Sequence, residues 1–215
     1  MNKTQVISVV QEKGGAGKTT LLTVLASLMA EDGAKVAVID TDPQRHLETW
    51  AGKENTKLDW HYEDNDSKLI DVVNALKENA YDVIFIDTAG FKSVMSSYAI
   101  AVASLVLIPS KASEADAQGA IKTYEQVRSV AKIYAREIPA YVVMSDIDRN
   151  TNMTKSLIEG LEGEGIPMVD AALEHRTGFK EMLTTGAMPT GSALNSAKSL
   201  IANMQINKLI DYYGG

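Results

Sequence analysis

The 215-residue chain contains no cysteine, which excludes a disulfide framework, a thiol nucleophile and any thiolate-built metal site. Its three histidines, His46, His61 and His175, are scattered without ligand spacing, so a histidine metal site is not expected either. No apolar run approaches the length of a membrane span. Nor does a basic segment followed by an apolar one precede the first strand, so a cytoplasmic protein with no membrane partner is expected. Positive charge is also in short supply. Lys and Arg number 21 against 28 Asp and Glu, a formal charge of −7. That balance argues against a broad nucleic-acid surface and leaves room only for a local basic patch. Repeats and low-complexity segments are absent. What remains is ordinary for a globular protein, 45% hydrophobic and 23% charged. The length suits one α/β domain spanning residues 1–215.

The stretch from Val6 to Leu28 organises the rest. Val6-Ile7-Ser8-Val9-Val10 is a continuous, β-branched run of the kind found in a parallel strand covered on both faces. Gly14, Gly15 and Gly17 follow, where backbone must turn tightly and approach a ligand closely. After Lys18 the apolar residues Leu21, Leu22, Leu25, Leu28 and Met29 recur at helical spacing. Strand, glycine loop and helix N-terminus together make an anion cradle. In that setting Lys18 faces the β- and γ-phosphates of a nucleotide and the Thr19 hydroxyl ligates Mg²⁺. The competing reading is a glycine-rich turn without chemical consequence.

Further along, Lys35–Ile39 reads as a second strand closing on Asp40-Thr41-Asp42-Pro43-Gln44, and carboxylates at such a strand end sit where open α/β sheets bind ligands. Asp42-Pro43 also suits a plain turn. A short helix near His46–Trp50 and an edge strand near Leu58–Tyr62 are expected, with Trp50, Trp60 and Tyr62 packing rather than stacking on bases. Ser67–Asn79 is an amphipathic helix with Ser67 as candidate N-cap. Val83-Ile84-Phe85-Ile86-Asp87 is an apolar strand that aims a carboxylate at a metal-bound water beside Thr19, and Thr88-Ala89-Gly90 follows as a flexible turn. Strands at Ser104–Pro109, Ala140–Met144 and around Ile166–Val169 alternate with helices at Glu114–Tyr134, Asn152–Glu162 and Gly178–Thr184, before a last helix from Ser192 to about Tyr212. That alternation predicts a doubly wound, mostly parallel sheet flanked by helices.

The segment Lys13-Gly14-Gly15-Ala16-Gly17-Lys18-Thr19-Thr20 resembles the deviant Walker A box of the ParA/MinD ATPases, with Glu12 where the ordinary phosphate loop has glycine. Short ParA partition ATPases without an N-terminal helix-turn-helix are the nearest likeness. The resemblance implies a P-loop fold, ATP and Mg²⁺ as cofactors, and backbone contacts to phosphate along Gly14–Thr20. It also implies that Lys13 reaches across a nucleotide-sandwich homodimer to the partner's phosphates. Otherwise Lys13 is a solvated loop lysine. By the match of Asp40–Gln44 to the ParA switch I box, Asp42 orients the attacking water and Asp40 supports the Mg²⁺ shell. Related ATPases bring the strand end at Ser145 and Asp146 to the adenine, and the chain has no Asn-Lys-x-Asp guanine reader. Nitrogenase iron protein and the arsenite-pump ATPase share the loop but need cysteines.

Three functions compete under this resemblance. A partition ATPase would bind DNA without sequence preference as an ATP dimer, nucleoid-associated in that state, with a centromere-binding or adaptor protein stimulating hydrolysis to segregate plasmid or chromosomal DNA or another cargo. Arg128, Lys132 and Arg136 fall at i, i+4 and i+8, and Arg176 and Lys180 form a second pair. Each set equally suits a solvated helix face. A MinD-like membrane ATPase would need a basic amphipathic C-terminal helix, whereas the last segment offers only Lys198 and Lys208. A tyrosine kinase or ligase on the same fold is the third, and Tyr212-Tyr213 makes a poor tyrosine cluster.

Overall fold

The computed structural model describes residues 4–52, 58–90 and 93–211. Five strands form where β-branched and aliphatic residues run unbroken: β1 (Gln5–Val9), β2 (Val36–Asp40), β4 (Val83–Asp87), β5 (Leu105–Ser110) and β6 (Ala140–Ile147). Two shorter ones, β3 (Asp59–Tyr62) and β7 (Leu173–Glu174), flank them. The seven strands lie in the order β3-β2-β4-β1-β5-β6-β7, and every neighbouring pair is parallel. Parallel pairing requires a crossover between successive strands, and six helices supply it: α1 (Lys18–Glu31), α2 (His46–Ala51), α3 (Asp66–Glu78), α4 (Val94–Val102), α5 (Glu114–Ile133) and α6 (Asn152–Gly163), while α7 (Thr177–Thr185) and α8 (Gly191–Ile206) follow the last strand.

Side chains alternate across the sheet, and the two faces bury different helices. Ile7 and Val9 join Val36, Val38, Phe85 and Leu107 under α1, α2, α7 and α8. On the opposite face Val6, Ile39, Ile84 and Ile86 pack against α3 and α4, and Val106, Ile108 and Val142 against α5 and α6. Ser8, a polar residue in a central strand, is buried on this second face and donates its hydroxyl to the Ala99 carbonyl at 2.7 Å. A buried hydroxyl left unpaired there would be costly.

Some details differ from the sequence reading. Ser67 is inside α3; the cap is Asn65, whose side chain accepts the Ser67 amide at 3.1 Å. Residues around Ile166–Val169 contribute only one bridge, Val142 to Met168, and the seventh strand lies at Leu173–Glu174. Helix α4 has no counterpart in the sequence reading, although Ser93 and Ser96 form a reciprocal capping box at its start. The last helix stops at Ile206, and Tyr212 and Tyr213 fall outside the described residues.

The sheet order positions the site. Chain connections run to one side of β1 through β2 and to the other through β5, so the C-terminal strand ends open a crevice at this reversal. The glycine loop, the Asp40–Gln44 turn, the Thr88–Gly90 turn and the end of β6 all meet there.

Candidate functional site

Between β1 and α1 the backbone takes left-handed conformations at Gly15 (φ 75°) and Gly17 (φ 96°), which side-chain-bearing residues adopt at a cost. Gly17 is also the N-cap of α1 and offers no side-chain acceptor, and the first turn holds no acidic residue. The free amides and positive dipole end of a 14-residue helix are thus left for an anion from outside the chain. Gly90, at the end of the Thr88–Gly90 turn, closes over this loop. A Cβ built there would lie 2.7 Å from Gly14 Cα and 3.3 Å from Lys18 Nζ, so only glycine allows the approach.

The cavity in front of this loop encloses about 660 Å³ and is lined by Gly14, Gly15, Gly17, Lys18, Thr19, Thr20 and Asp42 on the phosphate-binding side. Lys111, Ser145, Asp146, Arg176, Phe179 and Lys180 also line it, with Ser145 beside Gly17. Ala16 is fully buried and is not among the lining residues, so it has only its backbone to offer a ligand.

Lys18 is buried, and loss of water pulls its pKa down while Asp87 and then Asp42 push it back up. The Thr19 hydroxyl donates to Asp87 Oδ2 at 2.7 Å. Burial raises the Asp87 carboxyl to about 7, with the Thr19 bond opposing. Its second oxygen, Oδ1, is buried without a hydrogen-bond partner. An orphaned carboxylate oxygen beside a threonine hydroxyl is what a hard divalent cation would satisfy. Among the described residues no cluster of three or more acidic or imidazole ligands exists. Mg²⁺ is a hard cation that keeps several waters and takes few protein ligands. Thr19 and Asp87 would hold it, and bound there it would neutralise phosphate charge.

Asp40, which the resemblance placed in support of the Mg²⁺ shell, ends β2. Its Oδ1 accepts the Asp42 amide at 2.9 Å and its Oδ2 the Leu47 amide at 3.2 Å, so both oxygens are taken by backbone. Burial raises its pKa, and those amides oppose the rise. The residue acts as a clasp that fixes the Asp40–Gln44 turn and the start of α2. Asp42, held by this clasp, accepts the Gln44 amide through Oδ1 and lines the cavity.

At the end of β6 the strand bulges between Ser145 and Ile147, and Asp146 sits at φ 57°. Its carboxylate pairs with His175 and, at 3.2 Å, with Lys111. Burial works to raise its pKa, but those two partners together hold it below the ordinary carboxylate range. A non-glycine residue strained in this way at a cavity wall is characteristic of functional sites.

The basic residues do not form the two patches their spacing suggested. Arg176 and Lys180 are in the cavity wall, and Arg176 is paired with Glu174. Helix α5 ends at Ile133, so Arg136 lies beyond it, and its guanidinium donates to the carbonyls of Ala101 and Ala103 at the end of α4. Arg128 and Lys132 are exposed on α5, and Arg136 is exposed beyond its end. Lys13 is outside the cavity lining, its ammonium 2.6 Å from Asp116 Oδ2 at the start of α5.

Residues with no part in the sequence reading also shape the site, Gln11, Lys111, Asp116 and Phe179, as does His175, which was read there only as a scattered histidine. For Asp116 a local signal existed, the Ser113-x-x-Asp116 spacing of a helix cap. The others carry no motif of their own.

With this geometry in view, residues 4–209 match the family model described as VirC1 protein. Protein ParA of Rhizobium radiobacter is 30% identical over 212 residues, covering 93% of this chain and 89% of that protein. Protein virC1 of the same organism is 30% identical over 192 residues, covering 86% and 82%. Among solved structures, a Cyanothece McdA variant in complex with ATP superposes with a TM-score of 0.79 at 18% identity, covering 97% of this chain and 98% of the other. The chain belongs to the VirC1 family of ParA-like P-loop ATPases.

Proposed function

We propose that the chain is a Mg²⁺-dependent ATP hydrolase of the partition or positioning type, which pairs with a second copy when ATP is bound and hydrolyses it when an adaptor protein engages. The observation that carries this reading is the meeting, at one cavity, of the uncapped α1 N-terminus, Lys18, the Thr19–Asp87 pair and Asp42. No side chain in the site is set up as a covalent nucleophile. Turnover therefore rests on charge and positioning. Lys18 and the cation neutralise the triphosphate, backbone amides of Gly14–Thr20 hold it, and Asp42 orients water for in-line attack. Ser145 and Asp146, which line the cavity, contact the base in this reading. Lys13 serves the partner chain's phosphates, as an arginine finger does elsewhere.

Non-specific DNA is the surface on which such a motor would work, through Arg128 and Lys132 doubled in the dimer. The maintenance of carboxysome distribution protein A of Halothiobacillus neapolitanus, 24% identical, keeps a protein cargo in play. The membrane reading has less support, because Ala197, Leu200, Ile201 and Met204 of α8 are buried in the core. Among the described residues no helix is long and apolar enough to cross a membrane.

The test is Asp42→Ala with Mg²⁺ and ATP, followed by light scattering and phosphate release. The expected result is a persistent dimer with turnover reduced at least about a hundredfold, the range for loss of a positioned proton-accepting or water-orienting group. A variant that hydrolyses ATP at the wild-type rate contradicts the assignment.

A further inference from the structure

Lys13 has a partner in its own chain, and the neighbourhood of that pair is unusual. Its ammonium lies 2.6 Å from Asp116 Oδ2, with the lysine side chain 41% exposed and the aspartate 2%. Ser113 donates its hydroxyl to the same oxygen. The other oxygen, Oδ1, is buried with no hydrogen-bond partner. Among the described residues Lys13 is the one cation within ion-pairing distance of this carboxylate. Withdrawing it leaves a buried charge with a single neutral hydroxyl on it, a strongly opposed change.

The base of the loop does not share the lysine's freedom. Gln11 is fully buried, and its amide donates to the carbonyls of Pro109 at 3.2 Å and Asp116 at 3.3 Å. Thr123 of α5 donates its hydroxyl to Gln11 Oε1 at 3.2 Å and accepts the Glu12 amide. Gly119 makes room for this, since a Cβ there would lie 2.7 Å from Gln11 Oε1. The strand end is thus bolted to the first turns of α5, and Asp116 is held in register beside the loop. The exposed lysine stem is the mobile member of the pair.

We propose that Asp116 is a positioning residue that stores Lys13 within its own chain and sets the threshold for ATP-driven pairing. A chain must give up its Lys13–Asp116 pair before that lysine can reach a second copy's phosphates. The proposal rests on the cross-chain role of Lys13 described above. A neutral residue at position 116 removes the hold and makes assembly easier. If Asp116 served only to cap α5, its replacement would have the same effect whatever residue stood at 13.

The experiment measures, by sedimentation velocity, the protein concentration for half-maximal pairing with Mg²⁺ and a non-hydrolysable ATP analogue. It uses the full chain, Asp116→Asn, Lys13→Ala and the double variant. Asp116→Asn is expected to lower that concentration by about three- to tenfold, the range for releasing a partly exposed ion pair coupled to a second equilibrium. In the Lys13→Ala background the same substitution is expected to change nothing. An unchanged threshold in Asp116→Asn, or an equal change in both backgrounds, overturns the storage role while wild-type pairing keeps the proposed function intact. Failure of the wild type itself to pair overturns the proposed function and this inference with it. Should Asp116→Asn fail to fold, a crystal structure of the unaltered paired chain with the analogue decides. Lys13 moved off its own Asp116 supports the proposal, and Lys13 still seated there overturns it.

Discussion

Replacing Asp87 by Asn tests the electrostatics of the site without any ligand. The carboxyl is fully buried at the end of β4, and its pKa is raised from 3.8 to about 7, chiefly by loss of water. The folded chain therefore keeps this proton to higher pH than the unfolded chain. Between about pH 4 and pH 7 the unfolded state binds fewer protons, and stability falls as pH rises. At 1.36 kcal/mol per pKa unit the full penalty above pH 7 is about 4 kcal/mol. Asn carries no charge to bury and can still accept the Thr19 hydroxyl, but its amide brings donors that Oδ1's empty surroundings do not satisfy, at about 1–3 kcal/mol. The expected result at pH 8.5 is a variant more stable than wild type by about 2 kcal/mol. At pH 5, where the wild-type carboxyl is protonated, the variant is expected to be less stable by about 1 kcal/mol. Urea unfolding in chelator at a series of pH values measures both. A stability difference that does not change with pH would refute the reasoning.

Gly90→Ala puts a methyl group 2.7 Å from Gly14 Cα, where only backbone can yield. The expected loss is about 1–3 kcal/mol of stability and a weakened phosphate loop, seen as at least about tenfold lower affinity for a fluorescent ATP analogue. Arg128→Glu with Lys132→Glu is expected to abolish ATP-dependent DNA retention and leave ATP turnover without DNA unchanged. Single replacements by Ala should each reduce the slope of log affinity against log salt by about 0.9 per lost phosphate contact. DNA binding with an unaltered salt slope would place the nucleic acid elsewhere.

The strands and the phosphate loop were legible because they depend on local chemistry. A central parallel strand needs an unbroken apolar run, as in Val83–Ile86, and a loop with left-handed backbone needs glycine, as at 15 and 17. Helix α4 was not legible, because Val94–Val102 is apolar nearly all round and shows no periodic contrast. Its two sides enter two different core clusters through Ala99 and Ile100. Strand β7 is two residues long and exists through its pairing with Ser145 and Ile147 rather than through its own composition.

The site divides along the same line. Lys18, Thr19 and Asp87 announce themselves by residue type and order, and the fold brings them together. The spacing of Arg176 and Lys180 suggested one helical face, but Arg176 is the extended residue that precedes α7, and the direction both face depends on how α7 docks beside α2. Asp40 was given a supporting part in the Mg²⁺ shell by the match to the switch I box. Its hydrogen bonds to the Asp42 and Leu47 amides are encoded by no one-dimensional pattern. Lys13 and Asp116, 103 residues apart in the chain, meet only in the folded structure.

The central claim is that the α1 N-terminus and Lys18 grip a nucleoside triphosphate together with Mg²⁺. Calorimetric titration of the purified chain with a non-hydrolysable ATP analogue and Mg²⁺ tests it most directly. One site per chain is expected, with a dissociation constant of about 1–100 μM, lost in Lys18→Ala. No heat with wild type, or the same affinity in Lys18→Ala, would contradict it.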